Sequence, residues 1–268
     1  MTTENSSVSS KWDDLQVRLI SAAAMMSVGL TAVFLGGVAF QLLVVFALGL
    51  MIWELANLCD PERPNAPVLL AVLACALGSV FHTLSGVYLL AVLLMPCVLG
   101  AVIVGRNKAL FFVFSAAIFL STYSIIEFRN AYGADWILWM VLVIIASDTL
   151  GYLAGRAFGG PKFWPKVSPK KTWSGTIAGW LGAAVVGAVF SYYTNVGVAL
   201  IAVSVLVAFA GQMGDIAESA LKRRVGIKDS SDLIPGHGGL LDRFDAMLGA
   251  SLVLGFVVLG LGYTGVAF

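Results

Sequence analysis

Residues that could bind phosphate and metal are concentrated in one polar stretch, residues 219–245. It reads SALKRRVGIKDSSDLIPGHGGLLDRFD, and long apolar runs flank it on both sides. Lysine and arginine suit phosphate oxygens, and carboxylates suit hard divalent cations such as Mg²⁺. Because a dense polar cluster beside a membrane is costly, its presence indicates a functional site.

A polar helix face leads into this stretch. Four side chains recur at positions i, i+3, i+4 and i+7, namely Asp215, Glu218, Ser219 and Lys222. Residues with that spacing lie on one face of an α-helix. An amphipathic cytoplasmic helix end would show the same spacing. Gln212 continues the polar character toward the membrane, which favours a face that looks into a wet cavity.

Further carboxylates fall at similar membrane depth. Asp242 and Asp245 follow the Pro-Gly-His-Gly-Gly turn, where acidic residues also suit a helix N-terminus. Asp148 lies about two helical turns inside an apolar run, where it is either a structural hydrogen-bond partner or a ligand. Together with Asp215 these residues offer oxygen ligands for Mg²⁺. Cysteine ligands are absent from the stretch and the two histidines are far apart, so a zinc site is not expected.

A basic loop, residues 156–172, precedes the helix that starts near Trp173. It reads RAFGGPKFWPKVSPKKT, with five basic residues and no acidic one. The loop is either an anchor on the positive side of the membrane or a site for a polyanion next to a helix N-terminus. Thr172 is placed to cap that helix. Carboxylates for a metal next to cations for phosphates fit phosphoryl or nucleotidyl transfer on a lipid.

The elements that position these residues are membrane helices. The chain has 268 residues, of which 59% are hydrophobic and 12% charged, so it is more apolar and less charged than a soluble domain. This composition predicts an all-α, polytopic transmembrane helix bundle. Nine spans are expected at about 18–37, 38–57, 67–82, 84–104, 109–128, 135–155, 173–194, 196–217 and 243–265.

Basic residues predict the orientation. With a cytoplasmic N-terminus, 15 of the 16 lysines and arginines fall on the inside and Arg129 alone falls outside. We expect a loose cytoplasmic tail over residues 1–17, N-terminal membrane helices over 18–134 and a catalytic membrane region over 135–268. The polar loops 156–172 and 222–242 then face the cytoplasm, and the C-terminus faces outward.

Residues 219–245 resemble the signature of the phosphatidate cytidylyltransferases, the CDP-diacylglycerol synthases. The specified signature positions correspond to Ser219, Leu221, Lys222, Arg223, Lys228, Asp229, Ser231, Ile234, Pro235, His237, Gly238, Gly239, Leu240, Asp242, Arg243, Phe244 and Asp245. The family's Ser-Pro-Lys-Lys-Thr-Trp stretch is present at residues 168–173. The Glu-Gly that commonly follows it is replaced by Ser174-Gly175, so residue 174 is assigned no role. The specific motifs cover roughly residues 140–265.

The resemblance implies a reaction between CTP and phosphatidic acid that gives CDP-diacylglycerol and pyrophosphate and requires Mg²⁺. It implies Asp215 and Asp242 as metal ligands, supported by Asp245 or Asp148. The implied phosphate contacts are Lys170, Lys171, Lys222, Arg223, Lys228 and Arg243, and Ser219 and Asp229 are further implied substrate contacts. His237 is expected to orient a phosphate or to act as a general acid–base. Replacing Asp215 or Asp242 by Asn is expected to leave folding intact, because unpaired buried carboxylates do not stabilise a bundle.

Other functions predict other patterns. A transporter or channel for an anion, the alternative function, would place charge near mid-membrane in both halves of the chain. The motif of the CDP-alcohol phosphatidyltransferases is not present in the sequence. The expected location is the cytoplasmic (inner) membrane, and no nucleic-acid partner is expected. Acyl-chain preference, use of dCTP, a second, monovalent cation and formation of a homodimer stay open.

Overall fold

The protein is a bundle of α-helices in a computed structural model that describes residues 4–194 and 196–256. Nine helices follow one another along this part of the chain, in agreement with the predicted bundle of about nine helices. They are α1 (Glu4–Leu35), α2 (Gly37–Cys59), α3 (Ala66–Gly78), α4 (Gly86–Ile103), α5 (Lys108–Tyr132), α6 (Ala134–Phe158), α7 (Trp173–Thr194), α8 (Ala199–Val225) and α9 (Leu241–Leu254). A 3₁₀ turn, Phe81–Thr83, follows α3.

Eight segments in the described ranges are long and apolar enough to cross a membrane. They correspond to α1 through α8, and the span that begins with α3 continues through Thr83. This confirms a multi-pass, all-α fold. The ninth predicted span coincides at its start with α9, which has 14 residues. Residues 257–265 of that predicted span lie outside the described part of the chain.

The first helix differs from the prediction. α1 begins at Glu4, so residues 4–17 are helical and continuous with the first span, where a loose tail was expected. These residues include neither glycine nor proline. Since those two residues are the strongest helix breakers, nothing in this segment stops the helix from extending backward from the apolar run.

Gly36 separates α1 from α2, at the predicted break. Its φ is +62°, a left-handed conformation that glycine adopts without strain. The guanidinium of Arg129 packs against it, and a Cβ at position 36 would lie 2.5 Å from Nη2 of that group. Nε of Arg129 donates a hydrogen bond to the backbone oxygen of Val33 at 2.8 Å. The basic residue predicted at the outer end therefore stabilises the C-terminus of α1.

The loop between α6 and α7 contains a small antiparallel hairpin that the sequence did not predict. β1 (Lys162–Trp164) pairs with β2 (Ser168–Thr172), with Lys162 opposite Thr172. The Thr172 hydroxyl accepts a hydrogen bond from the backbone N–H of Gly175 at 3.2 Å, which confirms that Thr172 caps α7. The hairpin (residues 162–172, hereafter the basic hairpin) thus leads directly into a membrane helix.

Glycine contacts bring the C-terminal helices close together. A Cβ at Gly175 of α7 would lie 2.5 Å from the backbone oxygen of Gly151 on α6. Gly249 of α9 packs in the same way against the backbone of Ala210 on α8. Small residues allow such close packing in a membrane, where lipid offers no hydrophobic drive for association. α6 through α9 therefore form a tight unit that holds the site.

The N-terminal helices also contact this unit. The Ser121 hydroxyl on α5 donates to the backbone oxygen of Leu248 on α9 at 2.8 Å. The α2–α3 and α4–α5 connections meet each other, since the backbone N–H of Gly105 donates to Oδ2 of Asp60 at 2.8 Å. These two connections were both predicted on the cytoplasmic side, and their contact places them at one end of the bundle.

Candidate active site

Lys171 and Asp215 form an ion pair between β2 and α8. Nζ of Lys171 lies 2.7 Å from Oδ2 of Asp215 and donates to the backbone oxygen of Gln212 at 3.2 Å. The side chains are 20% and 40% exposed, so a ligand can reach both. The fold therefore joins the basic loop to the polar helix face, which are 44 residues apart in sequence.

A cavity of about 530 Å³ opens beside this pair, between α6, α7, β2 and α8. Its charged lining residues are Asp148, Arg156, Lys170, Lys171 and Asp215. Three cations and two carboxylates in one cavity suit a ligand that carries phosphate together with a divalent cation. The volume falls within the range of small-molecule sites.

Buried polar residues line the cavity, among them Ser147, Thr176 and Gln212. Gln212 is buried, and its amide accepts from Trp180 Nε1 and donates to Ser147 Oγ, both at 3.1 Å. Thr176 is also buried, and its hydroxyl has no hydrogen-bond partner among the described residues. Since buried polar groups normally have a partner, this hydroxyl is an exception within the described structure.

Three of the predicted metal ligands gather near the cavity. Asp148, Asp215 and Asp245 lie close enough to influence one another electrostatically. Within the described ranges, however, no three His, Cys, Asp or Glu side chains are already spaced around one metal position. Mg²⁺ is usually held by one or two carboxylates plus water and substrate phosphates. The oxygen donors therefore fit Mg²⁺, with substrate oxygens needed to complete the coordination.

Lys222 joins two buried carboxylates. Its Nζ lies 2.6 Å from Oδ1 of Asp242 and 2.7 Å from Oε2 of Glu218. All three side chains are at most 15% exposed. The helix face predicted for residues 215–222 thus contributes to two separate ion pairs. Asp215 pairs with Lys171 beside the cavity, while Glu218 pairs with Lys222.

Asp242 is held by the loop between α8 and α9, residues 226–240, hereafter the signature loop. Its Oδ2 accepts hydrogen bonds from the backbone N–H and hydroxyl of Ser230 and from the backbone N–H of Gly239, each at 2.9 Å. Burial alone would raise the pKa of Asp242, but hydrogen bonds from Lys222 and from the backbone amides of Ser230 and Gly239 hold that pKa well below its usual range.

These contacts correct one expectation for Asp242. The sequence suggested a carboxylate without partners, whose replacement would leave folding intact. The structure instead gives it a lysine and three further donors. Its loss therefore leaves buried backbone amides without their acceptor and removes one of the two carboxylates that face Lys222. Oδ1 accepts only the Lys222 bond among the described residues. That oxygen keeps a lone pair that a metal could use.

His237 is held in place by contacts with α1 and α9. Its Nδ1 lies 2.9 Å from the Ser21 hydroxyl on α1, and its backbone oxygen accepts from Arg243 Nε at 2.8 Å. Gly238 follows with φ of +82°, which turns the chain back toward α9. The two predicted residues His237 and Arg243 are therefore in contact, beside the N-terminal helix.

The other predicted substrate contacts are more open. Lys170 lines the cavity, and Ser219 is half-buried on α8. Arg223, Lys228 and Asp229 are exposed at the end of α8 and the start of the signature loop. Their positions agree with a surface that a charged substrate reaches first, while their contacts with substrate stay a prediction.

Glu54 on α2 is a site residue that the sequence analysis missed. It is 0% exposed, and its carboxylate accepts hydrogen bonds from the signature loop and from the first turn of α9. A signal was present, since Glu54 is the one charged residue within the mostly apolar helix α2. Ionisable residues in such spans are rare and usually functional.

The chain is similar to phosphatidate cytidylyltransferases of several bacteria. A phosphatidate cytidylyltransferase of Brucella abortus is 32% identical over 249 residues, which cover 90% of this chain and 92% of the relative. The phosphatidate cytidylyltransferase of Bacillus subtilis is 31% identical over 88% of this chain and 94% of its own length. One from Staphylococcus haemolyticus is 29% identical over 87% and 95%.

Residues 16–260 match the model of the Cytidylyltransferase family, a range that includes every predicted site residue and most of the helices. The match extends well beyond the signature, because it takes in α2 and α5, which pack on the signature loop and α9. The chain belongs to the cytidylyltransferase family.

Proposed function

We propose that the protein transfers a cytidylyl group from CTP to phosphatidic acid, giving CDP-diacylglycerol and pyrophosphate in phospholipid biosynthesis. The observation that carries this proposal is the cavity beside Lys171 and Asp215, at the same end of the bundle as the signature loop. The names of the curated relatives, phosphatidate cytidylyltransferases that align over most of the chain, support the same reaction.

The reaction follows from the charges of its reactants. An oxygen of the lipid phosphate attacks the α-phosphorus of CTP in line, and the bond from that phosphorus to the bridging oxygen breaks. Pyrophosphate leaves with the electron pair. Phosphatidate is already ionised at neutral pH, so no strong base is required. The chain must instead offset the repulsion between two polyanions and align them.

The cations of the site perform that task. Lys171 lies at the cavity with Lys170 and Arg156, where these side chains can bind phosphate oxygens. The ion pair with Asp215 holds Lys171 in place before substrate binds. Lys222 is deeper and is fixed between Glu218 and Asp242, so it acts as a rigid positive charge near the signature loop.

Mg²⁺ is the cofactor that we propose. Asp215 and Asp242 are its proposed protein ligands, with Asp148 and Asp245 in support. Bound there, Mg²⁺ would supply positive charge to the transferring phosphoryl group and to the departing pyrophosphate. We further propose that the protein resides in the cytoplasmic membrane, with the cavity facing the cytoplasm, where CTP is found.

The alternative function is transport of an anion. A transporter would place its binding site near the bilayer midplane, between repeats that contribute from both halves of the chain. The charged cavity residues here come from α6, α8 and the basic hairpin, all in the second half of the chain. This arrangement favours an enzyme that works at one membrane face.

The direct test uses the protein purified in detergent with CTP, phosphatidate and Mg²⁺. We expect CDP-diacylglycerol and pyrophosphate in equal amounts, and exchange of labelled pyrophosphate into CTP that depends on phosphatidate. Excess chelator should stop both reactions, and added Mg²⁺ should restore them. Full activity in chelator would remove the metal from the proposal, and absence of product under all conditions would refute the enzyme function.

A further inference from the structure

Glu54 connects the N-terminal helices to the signature loop through a fully buried carboxylate. Its Oε1 accepts from the Ser231 hydroxyl at 2.5 Å and from the backbone N–H of Leu240 at 2.8 Å. Its Oε2 accepts from the backbone N–H of Leu241 at 2.7 Å and lies 3.4 Å from the Ser230 hydroxyl. Three donors on one buried carboxylate, the Ser231 hydroxyl and two backbone N–H groups, make a strong anchor, because hydrogen bonds to a charged acceptor are stronger than neutral ones.

This anchor supplies what the start of α9 lacks. The residue at the N-cap position is Leu240, whose side chain cannot accept a hydrogen bond, and no side-chain cap forms there within the described structure. The first backbone N–H groups of a helix have no intrahelical acceptor and need one from elsewhere. Glu54 provides it from another helix, and its negative charge also suits the helix N-terminus.

The same carboxylate reaches the proposed metal ligand in one step. The Ser230 hydroxyl lies between Glu54 and Asp242, at 2.9 Å from Oδ2 of Asp242. Gly239 makes this approach possible, because a Cβ there would lie 2.6 Å from Oε1 of Glu54. Any shift of Glu54 is therefore transmitted to the loop atoms that hold Asp242 and, through Asp242, to Lys222.

We infer that Glu54 is a positioning residue for cytidylyl transfer, which fixes the signature loop and the first turn of α9 so that Asp242 and Lys222 have their working geometry. This inference rests on the proposed function. It also assigns a role to the N-terminal helices, since α2 brings a residue to the site from 186 positions away in the sequence.

Glu54→Gln is the most informative substitution. Both oxygens of Glu54 accept from backbone N–H groups, Oε1 from Leu240 and Oε2 from Leu241. Glutamine has one oxygen and one NH₂ group, so either orientation of its amide sets a donor against a backbone donor. The shape of the side chain is kept while the anchor is broken. Glu62→Gln is the matched control, because Glu62 is 66% exposed in the α2–α3 connection.

The experiment measures kcat, the KM values for CTP and phosphatidate, the melting temperature and the fraction of folded protein for each variant. We expect Glu54→Gln to lower kcat per folded molecule by at least about tenfold, with both KM values changed less than about threefold, because the loop groups act in the transition state. Hydrogen exchange at residues 230–241 should be faster than in the unmodified protein. Glu62→Gln should match the unmodified protein in every measurement.

A kcat per folded molecule within about twofold of the unmodified protein would overturn the inference, even if the melting temperature falls. Should Glu54→Gln fail to fold, Ser231→Ala removes one donor to Glu54 and keeps the two backbone contacts. It should lower kcat by about threefold or more, and an unchanged kcat would again overturn the inference. Turnover of the unmodified protein is measured first. Its absence refutes the proposed function, whereas an active parent with an unaffected variant refutes the role of Glu54 alone.

Discussion

Lys171 and Asp215 are joined by a 2.7 Å ion pair at the mouth of the cavity, and neither side chain is fully buried. One belongs to the basic hairpin and the other to α8. A phosphate that enters the cavity can bind Lys171, and a metal ion that enters with the phosphate can bind the carboxylate of Asp215. The ion pair therefore places one positive and one negative group where a ligand that carries both phosphate and metal can bind them.

Asp215→Asn should abolish turnover while the protein still folds. Asn keeps the shape of the side chain and removes the negative charge that a metal ligand needs. We expect kcat to fall by at least about 100-fold, which corresponds to about 2.7 kcal/mol of transition-state stabilisation. Steady-state cytidylyl transfer at saturating Mg²⁺ measures the effect. A near-normal kcat would mean that Asp215 is a structural partner of Lys171 and does not hold metal.

The control for this substitution is Asp135→Asn. Asp135 is exposed in the first turn of α6 and does not line the cavity, so the kcat of this variant should be unchanged. Asp60 is less suitable as a neutral control. It is 4% exposed and accepts a hydrogen bond from the α4–α5 connection, so its replacement would disturb packing.

Lys171→Ala should weaken substrate binding more than it slows chemistry. A lysine that binds phosphate equally in the ground and transition states contributes to KM and not to kcat. We expect the KM for CTP or for phosphatidate to rise by about tenfold, with kcat reduced by less than about threefold. Lys108→Ala, at an exposed position where α5 begins, is the control. A large loss of kcat with unchanged KM would place Lys171 in the transition state.

The spacing of apolar runs predicted the helices well, because a spanning helix has a length fixed by the bilayer. It also separated α1 from α2 at Gly36, where a left-handed glycine interrupts the apolar pattern. The helical state of residues 4–17 was missed because polarity was taken as a sign of a loose tail. Polarity alone does not prevent a helix when no breaker is present.

The partners of the charged residues could not be predicted in the same way. Spacing placed Asp215, Glu218 and Lys222 on one helix face, which is enough to predict the pair between Glu218 and Lys222 at positions i and i+4. The other two pairs, Asp215 with Lys171 and Asp242 with Lys222, depend on how β2 and the signature loop fold against α8. The anchor at Glu54 depends on contacts with residues more than 170 positions away. Such contacts arise from packing, which leaves no local signature beyond an acidic residue in an apolar helix.

Asp242→Asn should lower stability both at about pH 5.5 and at about pH 8. The pKa of Asp242 is depressed in the folded protein, while an unfolded aspartate titrates at about 3.9. Its stabilising contribution is thus fully present above that value and is lost only as pH falls through the lower folded pKa. Breaking a buried pair on one side costs about 3–5 kcal/mol.

The measurement is the melting temperature in detergent at both pH values, for which we expect a drop of at least about 3 °C. Asp232→Asn is the control, because Asp232 lies on the same loop and is exposed. A loss of stability at about pH 8 that disappears at about pH 5.5 would show that Asp242 titrates between them, contrary to its contacts in the structure.

Residues 166 and 85 should lie on opposite faces of the membrane. Three helices, α4, α5 and α6, separate them, and the excess of basic residues places position 166 in the cytoplasm. Both side chains are exposed, so both accept a probe.

The test introduces Lys166→Cys or Ser85→Cys into a variant without Cys59, Cys75 and Cys97. A membrane-impermeant thiol reagent should then label only position 85 in intact cells and both positions after permeabilisation. Labelling of position 166 alone in intact cells would invert the topology, and labelling of both would contradict the odd number of spans between them. Ser85 serves as the outer reporter in place of the C-terminal Phe268, which lies outside the described residues.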